Sequence, residues 1–425
     1  MDVLVLGSGA REHAIAWRLA RDDGVRRVRI APGNGGTSAV ADSVEDLDIS
    51  DPREVARHAT RERYGLVVIG PEGPLAAGVA DALGASGVPT FGPTRGAARL
   101  ETSKSFAKDQ LRRSGVATAE ALTFTDPDAA AARIWASERP PVVKADGLAA
   151  GKGVIVPETH EEAESAVRAL FRGAAPGARI LLEERLSGRE VSVFCLVADD
   201  AVVPLAAACD YKRLRDADAG PNTGGMGAYS PVPWFDRRAL EELAGSVFEP
   251  IAWRMKRDGI PYRGVLYAGM MLTDDGPRVI EFNARFGDPE AQVLMPTLGG
   301  DLASALLGTA LADRSLMEGS LSARDAACVA VVIASEGYPD APLSGRTIEG
   351  AEPAGAADDG DFLVFHAATR RLPVGTYQST GGRVVTAVGR GPSIGDARGA
   401  AYRGVAAIAL EGGHFRTDIA QREML

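Results

Sequence analysis

Within residues 1–100, short apolar runs alternate with helix-like stretches, and glycine or proline closes several of the runs. The runs are 3–6, 28–30, 47–49, 66–69 and 88–91, and the first helix carries Ala14, Ile15, Trp17 and Leu19 at its apolar positions. That rhythm predicts a parallel sheet covered by helices, because parallel strands need a crossover before they can pair again. Further on, Thr102 or Ser103 caps a helix that stops near Gly115. Residues 121–190 read as a smaller α+β unit, with strands around 142–144, 154–156 and 180–183 and a helix near 160–172. Strands return at 191–197, 202–205, 265–272 and 278–282. The last hundred residues begin with a strand at 328–333 and end in a helix near 395–411. At about 150 residues per domain, 425 residues make about three domains.

A formal charge of −10 argues against wrapping nucleic acid, yet leaves room for a local basic groove that holds a small anion. The three cysteines, Cys195, Cys209 and Cys328, are too scattered for a disulfide framework and are expected as buried thiols in a reducing compartment. The five histidines show no zinc spacing. No apolar run approaches the ~18–20 residues that span a bilayer, and Asp2 before a short apolar run is not a signal peptide. A soluble, cytoplasmic protein without membrane or nucleic-acid partners is expected. Of the 47 basic residues only six are lysine: 104, 108, 144, 152, 212 and 256. Lysine supplies a compact point charge that arginine does not reproduce, so these positions draw attention to themselves.

Five stretches and one isolated lysine carry chemistry. Gly7-Ser8-Gly9-Ala10-Arg11-Glu12-His13 sits at a strand-to-helix turn. It lacks the third glycine and the following acid of a dinucleotide site, but a glycine turn at a helix N-terminus beside Arg11 and His13 suits a phosphate. A tight turn alone accounts for it about equally well. Residues 142–154 form a Gly/Ala hairpin between two strands, with Lys144 and Lys152 at its ends. Its spacing is not that of a P-loop, yet small residues let backbone N–H groups close over phosphates. Lys104 lies in the first turn of its helix, where the dipole opposes a cation, so a bound anion is expected nearby. Along 278–290, period 2 places Glu281, Asn283 and Arg285 on one face and Phe282, Ala284 and Phe286 on the other. Two hard oxygen donors beside a guanidinium suit Mg²⁺ arriving with a nucleotide phosphate. The stretches 210–213 and 220–231, rich in Gly, Pro and Asn, read as one long active-site loop, and Glu183-Glu184 ends a strand in adjacent carboxylates.

The lysine hairpin, the Glu-Glu strand end and the Glu-x-Asn strand together resemble the ATP-grasp fold. More narrowly, Ala31–Asn34, Gly70–Glu72, Lys144–Val154, Gly220–Pro231 and Glu281–Glu290 resemble the phosphoribosylamine–glycine ligase family almost end to end. The resemblance implies an α/β fold in four parts: an N-terminal parallel α/β substrate domain (1–101), an ATP-grasp central domain (102–120 and 191–325), an inserted ATP-grasp lid (121–190) and a small C-terminal domain (326–425). It implies ATP-dependent ligation of glycine to 5-phosphoribosylamine, giving glycinamide ribonucleotide, ADP and phosphate through a glycyl phosphate. By similarity, Lys104, Lys144, Gly151, Lys152 and Gly153 hold ATP phosphates. Glu183, Glu184 and Leu186 border adenine, and Glu190 holds ribose. Glu281 and Asn283 bind Mg²⁺ or Mn²⁺. Arg285, Lys152 and Lys144 serve catalysis. Gly9, Arg11, Glu12, His13, Asn34, Pro71, Glu72, Asp210, Lys212, Pro221, Asn222, Thr223, Gly224 and Arg285 are the substrate-binding set. Two departures stand out: Ser8-Gly9-Ala10 where the family often has Gly-Gly, and Tyr211 where His is common. Residues 267–271 offer no third metal-binding carboxylate. A monofunctional monomer is expected. The alternatives are a formate-using ATP-grasp transferase, against which the 220–231 loop argues, and a nucleotide-binding sensor, which would have lost a lysine or the metal face.

Overall fold

The computed structural model describes all residues except 149–152, 173–174, 325, 356, 358–359 and 425. The N-terminal sheet is parallel and five-stranded, in the order Asp42–Ser43, Arg27–Pro32, Asp2–Gly7, Leu66–Ile69, Thr90–Phe91. Its central strand is buried on both faces. Val3 and Val5 pack on the side of helix Ala10–Leu19, whereas Leu4 and Leu6 pack with Val55, Ala59, Val79 and Leu83 on the other. One expected strand is absent: 47–49 is irregular, and the third strand is Asp42–Ser43. The Asp48 carboxylate accepts the Ser50 N–H at 2.9 Å and the Ser50 hydroxyl at 2.6 Å, a local turn that competes with ladder pairing. Leu47 is buried nonetheless, so its apolar signal reports the core and not a strand.

The inserted unit is an antiparallel four-stranded sheet ordered Ala121–Phe124, Ile180–Glu183, Val142–Ala145, Val154–Ile155. Helices Pro127–Trp135 and His160–Arg172 cover one face and close a small core of their own around Ile134, Val143, Val167 and Leu182. Alternation sends Val143, Ile180 and Leu182 into that core and leaves Lys144 and Glu183 on the opposite face. Truncating a core residue such as Leu182 to Ala costs about 2–5 kcal/mol, enough to loosen so small a unit.

An antiparallel eight-stranded sheet forms the body. Its order is Gly276–Asn283, Tyr262–Thr273, Arg189–Asp199, Ala201–Asp210, Gly227–Ser230, Ala327–Ala334, Arg383–Gly391, Phe362–His366. Strands from the last hundred residues thus continue the central sheet without a break. Thr369–Arg371, Tyr377–Ser379, Thr347–Glu349 and Ala409–Leu410 make a separate four-stranded sheet. The 210–231 stretch is not one long loop. Arg213–Arg215 and Ala219–Asn222 pair as a hairpin, with Gly220 at φ +83°, and Gly227–Ser230 joins the large sheet. Gly220, Pro221 and Asn222 lie inside the second strand, the turn before it is Asp216–Asp218, and Gly224 and Gly225 fall in the connection that follows. All three cysteines are free and buried, and burial pushes the thiols of Cys209 and Cys328 up to about 12. No helix among the described residues is long and apolar enough to cross a membrane.

Candidate active site

The site lies where the inserted unit faces the edge strand Gly276–Asn283. Lys144 Nζ donates to the Ile280 carbonyl at 3.2 Å, so the lysine of the hairpin stands next to the residue that bears the first metal-ligand candidate. The same ammonium lies 2.9 Å from Glu183 Oε2, and Lys108 Nζ approaches that oxygen to 3.0 Å. Lys108 also donates to Thr118 Oγ1 (2.8 Å) and the Ala119 carbonyl (3.1 Å). Burial lowers the Lys108 pKa, and Glu183 opposes that shift. Glu183 Oε1 is buried with no hydrogen-bond partner among the described residues, so the carboxylate presents an open acceptor. Lys108 escaped the motif reading. The available signal was helical spacing, since it lies four residues after Lys104 on the same face of helix Lys104–Arg113.

The anion expected at that helix N-terminus belongs to the chain itself. Asp146 accepts from Ser105 N (3.2 Å), Ser105 Oγ (2.6 Å) and Ser103 Oγ (3.2 Å). It thereby ties the hairpin to the helix. Lys104 Nζ donates to the Gly147 carbonyl at 3.2 Å, and burial lowers its pKa. The Gly153 carbonyl accepts the Ala145 N–H at 2.8 Å, while Gly151 and Lys152 lie outside the described residues. Glu184 is exposed, with Arg278 at 3.3 Å and its backbone N–H on the Glu120 carbonyl at 2.8 Å; Leu186 is partly exposed. Glu190 pairs with Lys212 at 2.9 Å, which holds its carboxyl below the usual range.

The period-2 reading of 281–286 is what the burial shows: Glu281, Asn283 and Arg285 are partly open, and Phe282, Ala284 and Phe286 are buried. The donor set fits a hard divalent cation. Glu281 and Asn283 offer two oxygens from one face, and Gly269 pairs with Glu281 across the ladder without adding a side chain. Among the described residues there is no group of three or more His, Cys, Asp or Glu arranged for a metal, so the remaining ligands would be water and phosphate. Arg285 is heavily engaged. Its guanidinium reaches Glu101 (2.8 Å), Glu72 (3.2 Å), Asn283 Oδ1 (3.2 Å) and the Phe286 carbonyl (3.1 Å). Burial opposes its charge, but Glu101 and Glu72 raise its pKa further. Glu101, at 9% exposure, was not identified from sequence.

The N-terminal turn is occupied by its own carboxylate. The Gly9 N–H donates to Glu12 Oε2 at 2.7 Å, and Arg11 pairs with the other oxygen. A Cβ at Gly70 would stand 2.1 Å from Glu12 Oε1, so only glycine admits this packing. The helix therefore already has an anion where an external phosphate was expected. Arg11 also donates to the Phe286 carbonyl at 3.2 Å. Asn34 Nδ2 is used on the Ser8 (2.9 Å) and His366 (2.7 Å) carbonyls. His13 is fully buried, accepts the His366 N–H at 3.0 Å and packs edge-on against Phe365. Pro71 precedes helix Glu72–Ala77, which aims Glu72 at Arg285.

Lys212 bridges Asp210 (3.0 Å) and Glu190. Burial opposes its charge, yet Asp210 and Glu190 hold its pKa well above the ordinary value. Asn222 donates to the Val154 carbonyl at 3.4 Å, which touches the inserted unit. Thr223 folds back on the Lys212 carbonyl (2.9 Å), and Pro221 is exposed. Arg383 donates to the carbonyls of Gly224 and Asp288, each at 2.7 Å, and pairs with the Asp288 carboxylate at 3.0 Å. Glu290, buried beside Ser192, is pushed up to about 7 by burial and by Asp210. The structure thus gathers Lys104, Lys108, Lys144 and Glu183 where the inserted unit meets the strand of Glu281 and Asn283, sets Glu72 against Arg285, and joins Asp210 and Lys212 to Glu190. His13 and Asn34 lie behind that surface as packing and turn contacts.

A lysine-bearing antiparallel unit folded over a sheet edge with two oxygen donors defines an ATP-grasp enzyme. Three consecutive family models match the chain: the N domain (1–101), the ATP-grasp (A) domain (102–291) and the C domain (328–422) of phosphoribosylglycinamide synthetase. A phosphoribosylamine–glycine ligase of Streptomyces coelicolor is 46% identical over 422 residues, covering 99% of each chain. The crystal structure of phosphoribosylamine–glycine ligase from Thermotoga maritima superposes with a TM-score of 0.82 at 33% identity, over 99% of this chain and 100% of that one. The biotin carboxylase domain of Hydrogenobacter thermophilus 2-oxoglutarate carboxylase shares the fold (TM-score 0.71, 16% identity, 97% of this chain and 91% of that one). The chain belongs to the phosphoribosylamine–glycine ligase family. Its activity is ATP-dependent carbon–nitrogen ligation in purine biosynthesis.

Proposed function

We propose that the chain joins glycine to 5-phosphoribosylamine through glycyl phosphate, with ATP bound under residues 121–190 acting as a lid. A carboxylate is a poor electrophile. A glycine carboxylate oxygen attacks the γ-phosphorus, and ADP leaves with the bonding pair. The amine nitrogen of phosphoribosylamine then attacks the acyl carbon. Phosphate leaves with the carboxylate oxygen, and the nitrogen loses a proton. The first transfer needs positioning and charge neutralisation more than covalent help.

Lys104, Lys144, Lys152 and the backbone of Gly151 and Gly153 hold the phosphates in this reading. The open Glu183 Oε1 accepts from the adenine amino group, with backbone at Glu184 and Leu186 beside the ring and Glu190 on ribose. Glu281 and Asn283 would hold Mg²⁺ or Mn²⁺, which supplies charge neutralisation at the phosphates. Arg285, oriented by Glu101 and Glu72, faces the acyl and phosphoryl oxygens. Asp210, Lys212 and 221–224, with Arg11, Pro71 and Glu72, border the two remaining substrates. Closure of the lid excludes water from the acyl phosphate. The division into 1–101, 102–120 with 191–325, 121–190 and 326–425 follows the same reading, as do a cytoplasmic location and a monomer.

The observation that carries this assignment is the Lys144 contact to the Ile280 carbonyl at 3.2 Å, which puts the hairpin lysine against the strand of Glu281 and Asn283. Glycine labelled with ¹⁸O in its carboxylate tests it. One labelled oxygen must appear in inorganic phosphate for each ligation; unlabelled phosphate would exclude the acyl phosphate.

A further inference from the structure

The last hundred residues reach the substrate end twice. Arg383 holds the Gly224 carbonyl, as described above. The second reach is made by the segment 414–420. Arg416 is fully buried. Its guanidinium donates to the Arg213 carbonyl (3.1 Å), pairs with Asp218 (3.0 Å) and Asp418 (2.7 Å), and lies 4.7 Å from the centre of the Tyr211 ring. The Tyr211 hydroxyl in turn accepts the Ala420 N–H at 2.9 Å. The segment is itself anchored by helix Ile394–Ala407, where Tyr402 donates to the Arg416 carbonyl (2.8 Å) and Arg398 to the Thr417 carbonyl (2.7 Å). An isolated two-stranded hairpin is marginal in water, and the 213–222 hairpin pairs with no further strand among the described residues. A buried arginine carries a desolvation cost, so full burial of this one against the hairpin's backbone and two carboxylates is a specific arrangement and not a surface contact.

We propose that Arg416 is a positioning residue for the ligation: with Tyr211 it orders the 211–222 stretch and thereby sets Lys212 and Asn222 against the substrates, beside Asp210, which the large sheet itself holds. The inference rests on the assignment of 210–224 to glycine and phosphoribosylamine made above. It also accounts for Tyr211, whose ring and hydroxyl are both used by the segment.

Arg416→Lys keeps the charge and loses the planar fork. Tyr211→Phe removes a single acceptor and is the milder variant should the first fail to fold. Both are assayed in the full-length enzyme for hydrogen exchange of 211–222 and for KM of each substrate. Lys212→Gln tests the loop assignment independently. The expected result is faster exchange at 211–222 and a loss of about 10-fold in kcat/KM for glycine, phosphoribosylamine or both, with KM for ATP within about twofold. Unchanged exchange overturns the ordering role. Faster exchange with unchanged substrate constants overturns the positioning role where Lys212→Gln still raises those constants. Where Lys212→Gln also leaves them unchanged, the loop assignment itself falls, and the positioning role with it. A drop in apparent kcat alone, in proportion to lost folded enzyme, makes Arg416 purely structural and likewise overturns the proposal.

Discussion

Arg285 Nη2 stands 2.8 Å from Glu101 Oε1, and the other oxygen of that buried carboxylate accepts the Ala284 N–H at 2.8 Å. Glu101 thus grips both the guanidinium and the backbone just before it. Glu101→Gln keeps an acceptor for Ala284 and removes the charge opposite Arg285. We expect kcat to fall by about 10-fold or more with KM for ATP little changed. Removing one partner of a buried pair outright costs about 3–5 kcal/mol, so Glu101→Ala should also lower the Tm markedly. Steady-state kinetics and a thermal melt separate the two effects. Arg285→Ala should likewise lower kcat more than ATP affinity; a variant that lost ATP affinity alone would remove Arg285 from the reacting end.

The metal assignment is exposed to a direct check. Glu281→Gln changes one oxygen donor of a two-donor face. Activity should drop by more than about 100-fold with the fold intact, given that even outer-shell partners of a metal are worth about 10- to 100-fold. Titrating Mg²⁺ against activity in this variant reads the affinity loss. Full activity at ordinary Mg²⁺ would end the assignment.

Lys108 gives a further expectation. With Lys144 it neutralises Glu183 Oε2, leaving Oε1 open. Lys108→Met leaves Glu183 one cation short, and KM for ATP should rise by about 10- to 100-fold, as for a lost charged hydrogen bond of about 1.5–3 kcal/mol. KM for glycine should stay put. Equal effects on both constants would show that Lys108 serves the fold in general and not the nucleotide end.

Acid should loosen the contact between helix Ala10–Leu19 and strand Phe362–His366. Burial, with the charge of His366 second, lowers the His13 pKa to about 3, and burial lowers that of His366 to about 4. Both rings are neutral in the folded protein at pH 7. Unfolded, each takes a proton near pH 6.5. The stability they hold is complete above pH 6.5 and is lost as pH falls from there toward about 4 for His366 and about 3 for His13, by up to about 1.4 kcal/mol per pH unit for each ring. Urea unfolding at pH 7 and pH 5 should show a lower midpoint at pH 5, with a smaller drop in His366→Gln. Equal midpoints at the two pH values in the parent would contradict the burial of these rings as neutral groups.

Much of the site was legible because it is local in sequence. Glu281, Asn283 and Arg285 share a face by strand alternation alone, and Lys144 stood out in a chain with six lysines. What escaped was set by contacts between distant segments. Glu101 and Arg285 are far apart in the chain, as are Lys108 and Glu183, and neither pairing has a local pattern. The N-terminal turn misled for a related reason: Glu12 is close in sequence, but its folding back onto Gly9 depends on room made by Gly70. The 210–231 stretch resembles a loop in sequence because its strands are short, and the hairpin's contacts run to residues near 416, far along the chain. Leu47–Ile49 showed the opposite error, an apolar run that packs without forming a strand.

The most direct measurement is ADP release with ATP and Mg²⁺, with phosphoribosylamine formed in situ from ribose 5-phosphate and ammonia, in the presence and absence of glycine. The account predicts ADP only when glycine and phosphoribosylamine are both present, with glycinamide ribonucleotide formed in equal amount. ADP release that ignores glycine, or no turnover despite ATP binding, would contradict it.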